Sequence, residues 1–169
     1  MVYNCSGYEK VDTLRKLEGL IDVYLTDLKY VDAAVALKYS GAENYFDYAS
    51  KAILEMQRQM LDNVFDEAGM LQKGLIIRHL VLPGNVLQTR KVLCWIHENL
   101  PKKTLISLMS QYVPCGKAAD FKEINRRLTN REYDKACDMM FDFGFENGYI
   151  QDLMSAKETY IPLFDLEGV

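Results

Sequence analysis

Asp27 and Lys29 stand two residues apart at the end of the run VYLTDLK (23–29). At a strand period of two, Val23, Leu25, Asp27 and Lys29 share one side, so two apolar side chains are followed by a carboxylate and an ammonium. Opposite charges on a covered strand are expensive to desolvate unless they pair or hold a ligand. A structural ion pair at a strand end and a ligand-binding pair both meet that condition. Arg78 lies between Ile77 and His79 in an otherwise apolar run. A covered guanidinium needs an anion, which Asp27 or a ligand carboxylate or phosphate would supply. His79 falls on the opposite face and reads as a satisfied core histidine. Asn4 ends the first apolar run, and Ser110, Gln111 and Tyr112 end the last; Gln111 and Tyr112 read equally well as ordinary polar strand ends.

Other chemistries find little support. Cys5, Cys94, Cys115 and Cys137 are far apart, whereas zinc, redox and cluster loops present thiolates two to four residues apart. They read as reduced structural thiols, and His79 and His97 are each isolated, so no metal site is expected. There is no phosphate-cradling glycine loop and no nucleophile elbow. Asp62 with Asp66, and Asp138 with Asp142, are carboxylate pairs four apart and read as solvated helix faces. The basic residues of 117–135 are interleaved with acids, which describes a solvated surface.

The elements that must position these residues alternate in type. Strands are predicted over 2–3, 22–29, 75–82 and 105–113. Helices are predicted over 10–20, 45–67, 85–99 and 129–143, with a polar loop ending near Gly41 and an irregular stretch over 149–169. Ala49, Ile53, Met56, Met60 and Val64 form one apolar stripe on the longest helix, stopped near Gly69. Asn85 is positioned to cap one helix, and Thr129 with Glu132 forms a capping box on another. The runs 75–82 and 105–109 are nearly all apolar, as a parallel sheet dry on both faces requires. An α/β fold follows, with about four strands and covering helices, too few to close a barrel. In such folds ligands sit at the C-terminal ends of the strands, where Asn4, Asp27, Lys29 and Gln111 fall.

The 169 residues carry 49% hydrophobic and 26% charged side chains with a net charge of −4, which fits one globular domain over 1–169. The acidic balance gives no electrostatic footprint for duplex nucleic acid. No apolar run approaches the roughly 18 residues of a membrane span, and the first residues lack the pattern of a signal peptide. A cytoplasmic protein is expected, without nucleic-acid or membrane partners.

Four segments together resemble one family: DVYLTDLKY (22–30), GLIIRHLVLPG (74–84), LMSQYVP (108–114) and YIPLFD (160–165). It is the pyruvate formate-lyase-activating-enzyme-like branch of the radical S-adenosylmethionine proteins. The resemblance implies a partial parallel (β/α) barrel, a partial TIM barrel, that binds S-adenosylmethionine beside a four-iron four-sulfur (4Fe-4S) cluster. Such oxidoreductases cleave the cofactor reductively to a 5′-deoxyadenosyl radical, and the activases abstract hydrogen from a glycine of a glycyl-radical partner enzyme. The family's Asp-x-Lys maps onto Asp27 and Lys29, its following-strand arginine onto Arg78, and the first strand end onto Asn4. The CxxxCxxC cluster motif and the Gly-Gly-Glu segment are absent from this sequence. The resemblance therefore places the chain as the C-terminal portion of such a protein, lacking the N-terminal cluster-binding strands and inactive alone. The cluster would belong to a longer protein carrying the upstream cysteines. A stand-alone binding module that kept the scaffold without the chemistry is the alternative. Either way, an open edge at the first strand invites self-association.

Overall fold

Hydrophobic periodicity and turn chemistry divide the chain as expected in outline, with corrections at several boundaries. The computed structural model describes residues 1–145 and 148–150. Its strands are β1 (Val2–Cys5), β2 (Val23–Asp27), β3 (Val64–Phe65), β4 (Leu71–Leu80), β5 (Leu105–Met109) and β6 (Gly148–Ile150). Its α-helices are α1 (Val11–Lys16), α2 (Ala33–Ser40), α3 (Tyr45–Gln59), α4 (Val86–Asn99) and α5 (Asn130–Asp142). β1, β2, β4, β5 and β6 form a parallel sheet in that order, and β3 pairs antiparallel with the start of β4. This is the α/β, partial-barrel architecture expected, with one more parallel strand, since the backbone of 148–150 pairs with β5. The segment 160–165 lies outside the described residues.

The sheet is covered on one face. Tyr24 and Leu28 in and just after β2, Leu75 and Ile77 of β4, and Ile106 and Leu108 of β5 join one core with Leu14, Ala36, Ile53, Leu93 and Met140 of the helices. On the alternate face Val23 and Leu105 are buried at the start of their strands, whereas Leu25, Asp27, Ile76, Arg78, Leu80, Ser107 and Met109 are only half-buried. Both faces were expected to be dry. In the described chain the helix residues are buried against one face, and the other keeps access to its charged side chains.

The helix expected over 45–67 stops at Gln59. Asp66 accepts hydrogen bonds from the amides of Ala68 (3.0 Å) and Met70 (2.8 Å), and Gly69 takes a φ of 77°. That local turn closes the β3–β4 hairpin and overrides the helical spacing. Val64 therefore lies half-exposed on β3, while Ala49, Ile53, Met56 and Met60 are buried as the stripe requires. Asp62 and Asp66 are thus not a helical pair; Asp62 makes an ion pair with Lys103. The loop expected before Gly41 contains α2. The Thr129–Glu132 capping box is formed in both directions, and Glu132 also accepts from the Gly84 amide at 2.7 Å. Asn85 stands at its N-cap position, but its side chain donates to the Pro83 carbonyl instead of capping.

Candidate functional site

β2 and β4 place Asp27 and Arg78 opposite each other in register, both at the C-terminal half of the sheet. One strand over, Asn4 sits at the end of β1 on the same half-open face. Arg78 Nε donates to Asp27 Oδ1 at 2.7 Å, and Arg78 Nη2 donates to Asn4 Oδ1 at 2.8 Å. Lys29 Nζ stands 3.6 Å from Asp27 Oδ2. Four of the five side chains singled out from the sequence therefore form one cluster. Gln111 does not join it; its amide lies 3.7 Å from Met109 Sδ.

The electrostatics of the cluster are uneven. Two cations surround one carboxylate, so the group carries a net positive charge at the mouth of a half-open face. The Asp27 and Arg78 side chains are 16% and 22% exposed, so both charges are largely withdrawn from water and each depends on the other as its partner. The Lys29 side chain is 38% exposed, so its ammonium is accessible from solvent. The arrangement offers cations to a carboxylate or phosphate, and carboxylate and amide oxygens to hydroxyl or ammonium groups.

The loop that carries Lys29 is fastened from beneath by three side chains. His79, buried in the core, donates from Nδ1 to the Leu28 carbonyl at 2.8 Å and accepts at Nε2 from the Thr89 hydroxyl at 3.0 Å. The Leu28 carbonyl can only accept, which puts a proton on Nδ1, and burial, which holds the imidazole pKa down to about 4, leaves Nε2 unprotonated to accept from Thr89. Gln88 Oε1 accepts from the amides of Val31 and Asp32, both at 3.2 Å. Tyr45, at the start of α3, accepts from the Lys29 amide at 3.1 Å and reaches the carbonyls of Ser6 at 2.9 Å and Asp27 at 3.1 Å. Burial pushes its phenol pKa up. Gly7 completes the fastening. Its φ is 80°, and a Cβ there would stand 2.2 Å from the Asp27 carbonyl oxygen.

Tyr45, Gln88 and Gly7 are not evident from sequence spacing, because each contacts strand ends distant in the chain. The reading of His79 as a core residue agrees with its two buried bonds. Cys5 is half-buried, with Sγ 3.3 Å from Thr26 Oγ1 and its thiol pKa raised chiefly by burial. Among the described residues no group of three His, Cys, Asp or Glu side chains is arranged to hold a metal ion. The described residues thus do not provide the ligands of an iron-sulfur cluster. No helix among them is long and apolar enough to cross a membrane.

Comparison with known proteins places this geometry in a fold context. No protein-family model matches the chain. It is similar to the uncharacterized protein MJ0674 of Methanocaldococcus jannaschii, with 34% identity over 140 residues. That match covers 82% of this chain and 37% of the relative, so the chain spans little more than a third of that protein's length. Among solved structures, it is similar to a domain of pyruvate-formate lyase-activating enzyme from Bacteroides vulgatus. The TM-score is 0.58 at 14% identity, covering 86% of this chain and 76% of that one. At that identity the likeness is one of fold.

Proposed function

We propose that the chain supplies part of the S-adenosylmethionine site of a longer radical S-adenosylmethionine protein of the activase type. The observation that carries this reading is the convergence of Asn4, Asp27, Lys29 and Arg78 at the C-terminal ends of three adjacent parallel strands. Ligands of parallel α/β folds bind at those ends. The fold shared with a domain of pyruvate-formate lyase-activating enzyme is consistent with it.

The residues fit such a ligand. S-adenosylmethionine carries a carboxylate, an ammonium, a sulfonium and ribose hydroxyls, and the cluster combines two cations with two oxygen acceptors. Lys29 and Arg78 bind negative or hydroxyl oxygen, while Asp27 holds Arg78 in place and retains Oδ2 as an acceptor. Asn4 fixes the guanidinium from the neighbouring strand. In the family the bound cofactor supplies hydrogen-abstraction chemistry. The partner reading, a glycyl-radical-type protein substrate, belongs to the same proposal.

Titration calorimetry of S-adenosylmethionine into the chain tests the reading. Binding weakened at least tenfold in both Asp27→Ala and Arg78→Ala, a loss of about 1.4 kcal/mol or more, supports it. A chain that binds simple anions at this cluster but discriminates against S-adenosylmethionine supports the stand-alone binding module instead. For the longer protein, an iron-sulfur chromophore and cleavage of S-adenosylmethionine are the expected results, and the absence of both overturns the activase reading.

A further inference from the structure

We infer that Tyr45 is a positioning residue of this site, its hydroxyl holding the Asp27 and Lys29 backbone where their side chains can grip a ligand. The inference rests on the reading of the Asn4, Asp27, Lys29 and Arg78 cluster as a ligand site. Tyr45 is 4% exposed and lies on α3, outside the sheet that carries the cluster. The hydroxyl accepts from the Lys29 amide at 3.1 Å and shares its single proton between the carbonyls of Ser6 at 2.9 Å and Asp27 at 3.1 Å.

Those three groups belong to the two segments that leave the sheet at the cluster. Ser6 follows β1, which ends beside Asn4, and Asp27 and Lys29 frame the exit of β2. One oxygen atom thus fixes the spacing between the strand ends bearing Asn4 on one side and Asp27 with Lys29 on the other. The close approach of Gly7 to the Asp27 carbonyl lets the β1 exit come near enough for the shared bond. The ring itself is held independently of the hydroxyl. It meets Tyr30 edge-on at 5.7 Å and stacks with Tyr8 at 6.0 Å between centroids. Removing the oxygen alone therefore leaves the packing in place and releases the strand exits.

Tyr45→Phe is the variant, and Tyr30→Phe is its control. Tyr30 is also a buried phenol, 6% exposed, and its hydroxyl contacts Ser40 at 3.2 Å. Thermal midpoints fall for both variants. The Tyr45→Phe chain binds S-adenosylmethionine about tenfold more weakly by calorimetry, whereas the control stays within about twofold of wild type. Equal losses in the two variants overturn the inference. If the wild type does not bind S-adenosylmethionine, the ligand reading fails, and the geometry is judged by hydrogen exchange at the Lys29 amide. Exchange at least tenfold faster in Tyr45→Phe than in Tyr30→Phe supports the clamp, and equal rates overturn it. Should Tyr45→Phe not fold, the wild type carries the test. Its Lys29 amide then exchanges more slowly with S-adenosylmethionine present, and unchanged exchange under saturating ligand overturns the inference.

Discussion

Asp27 and Arg78 are register partners on adjacent parallel strands, and the guanidinium Nε meets the carboxylate Oδ1 at 2.7 Å on a face left half-open. The pair does two jobs. It neutralises an arginine that sits among Ile77, His79 and Leu80, and it stands Arg78 upright so that Nη2 reaches Asn4 across β2.

Removing Asp27 therefore costs more than removing Lys29. Asp27→Ala leaves Arg78 desolvated without its anion and brings it against Lys29, at a cost of about 1–3 kcal/mol. Lys29→Ala removes a half-exposed cation at 3.6 Å and costs less than about 1 kcal/mol. Urea denaturation of both variants checks the order. Equal losses would show that the carboxylate is not the anchor of the cluster.

Stability should fall as the solution is acidified from pH 6.5 toward pH 4. The folded protein keeps His79 neutral down to about 4, while an unfolded histidine takes its proton near 6.5. Between those values the unfolded chain binds more protons, so acid favours it, and stability present above pH 6.5 is lost as the pH drops. The full loss is on the order of 3 kcal/mol, complete near pH 4. Arg58 holds the Glu55 carboxyl down at about 2, so its contribution begins to disappear only below the ordinary glutamate range. The two effects thus separate along the pH axis. Thermal midpoints measured between pH 4 and 7, with the His79 resonances followed by NMR, check this. A flat profile from 6.5 to 4.5 would mean the imidazole is not held neutral in the core.

Gly7→Ala should destabilise the chain by about 1–3 kcal/mol and weaken the site together with it. The residue has a φ of 80°, which a side chain disfavours, and its Cβ would stand 2.2 Å from backbone rather than from a movable side chain. Relief requires the β1 exit to lift off Asp27, the displacement the Tyr45 bond resists. Calorimetry and chemical denaturation on one sample check both effects, and an unchanged midpoint would place Gly7 outside the clamp.

The cluster was legible in the sequence because strand periodicity and desolvation cost act on short stretches. Asp27 and Lys29 share a face by counting twos, and Arg78 stands out as a cation in an apolar run. The parts that hold the cluster were not legible. Tyr45, Gln88 and Gly7 act through single atoms on backbone that is distant in sequence, and no spacing rule connects a helix phenol to a strand-end carbonyl. The β3–β4 hairpin stayed hidden because Val64 continues the helical stripe of α3, while the Asp66–Gly69 turn that breaks it is short. The run 33–40 carries apolar and polar residues in too brief a pattern to separate α2 from a loop. The sixth strand is three residues long and takes its place from pairing with β5. Burial of only one sheet face was equally invisible, since Leu25, Ile76 and Leu80 are as apolar as the residues on the covered face.

Self-association should set in as concentration rises, and it should run through β1. Among the described residues β1 pairs with β2 alone, and no described strand pairs with its outer edge. The usual defences of an edge strand are a lysine, a proline, a bulge or a cover. The VYNC sequence has neither lysine nor proline, its pairing with β2 is in continuous register, and Val2 is 61% exposed. Tyr3 and Cys5 pack against the core, which holds the strand extended and ready to accept a neighbour. Val2→Lys places a charge on that edge without touching the core or the Asn4 contact with Arg78. Sedimentation velocity over a concentration series should show reversible association in the wild type and a monomer in Val2→Lys, with the two circular dichroism spectra alike. A wild type that stays monomeric at millimolar concentration would show that the free edge alone does not recruit a partner strand.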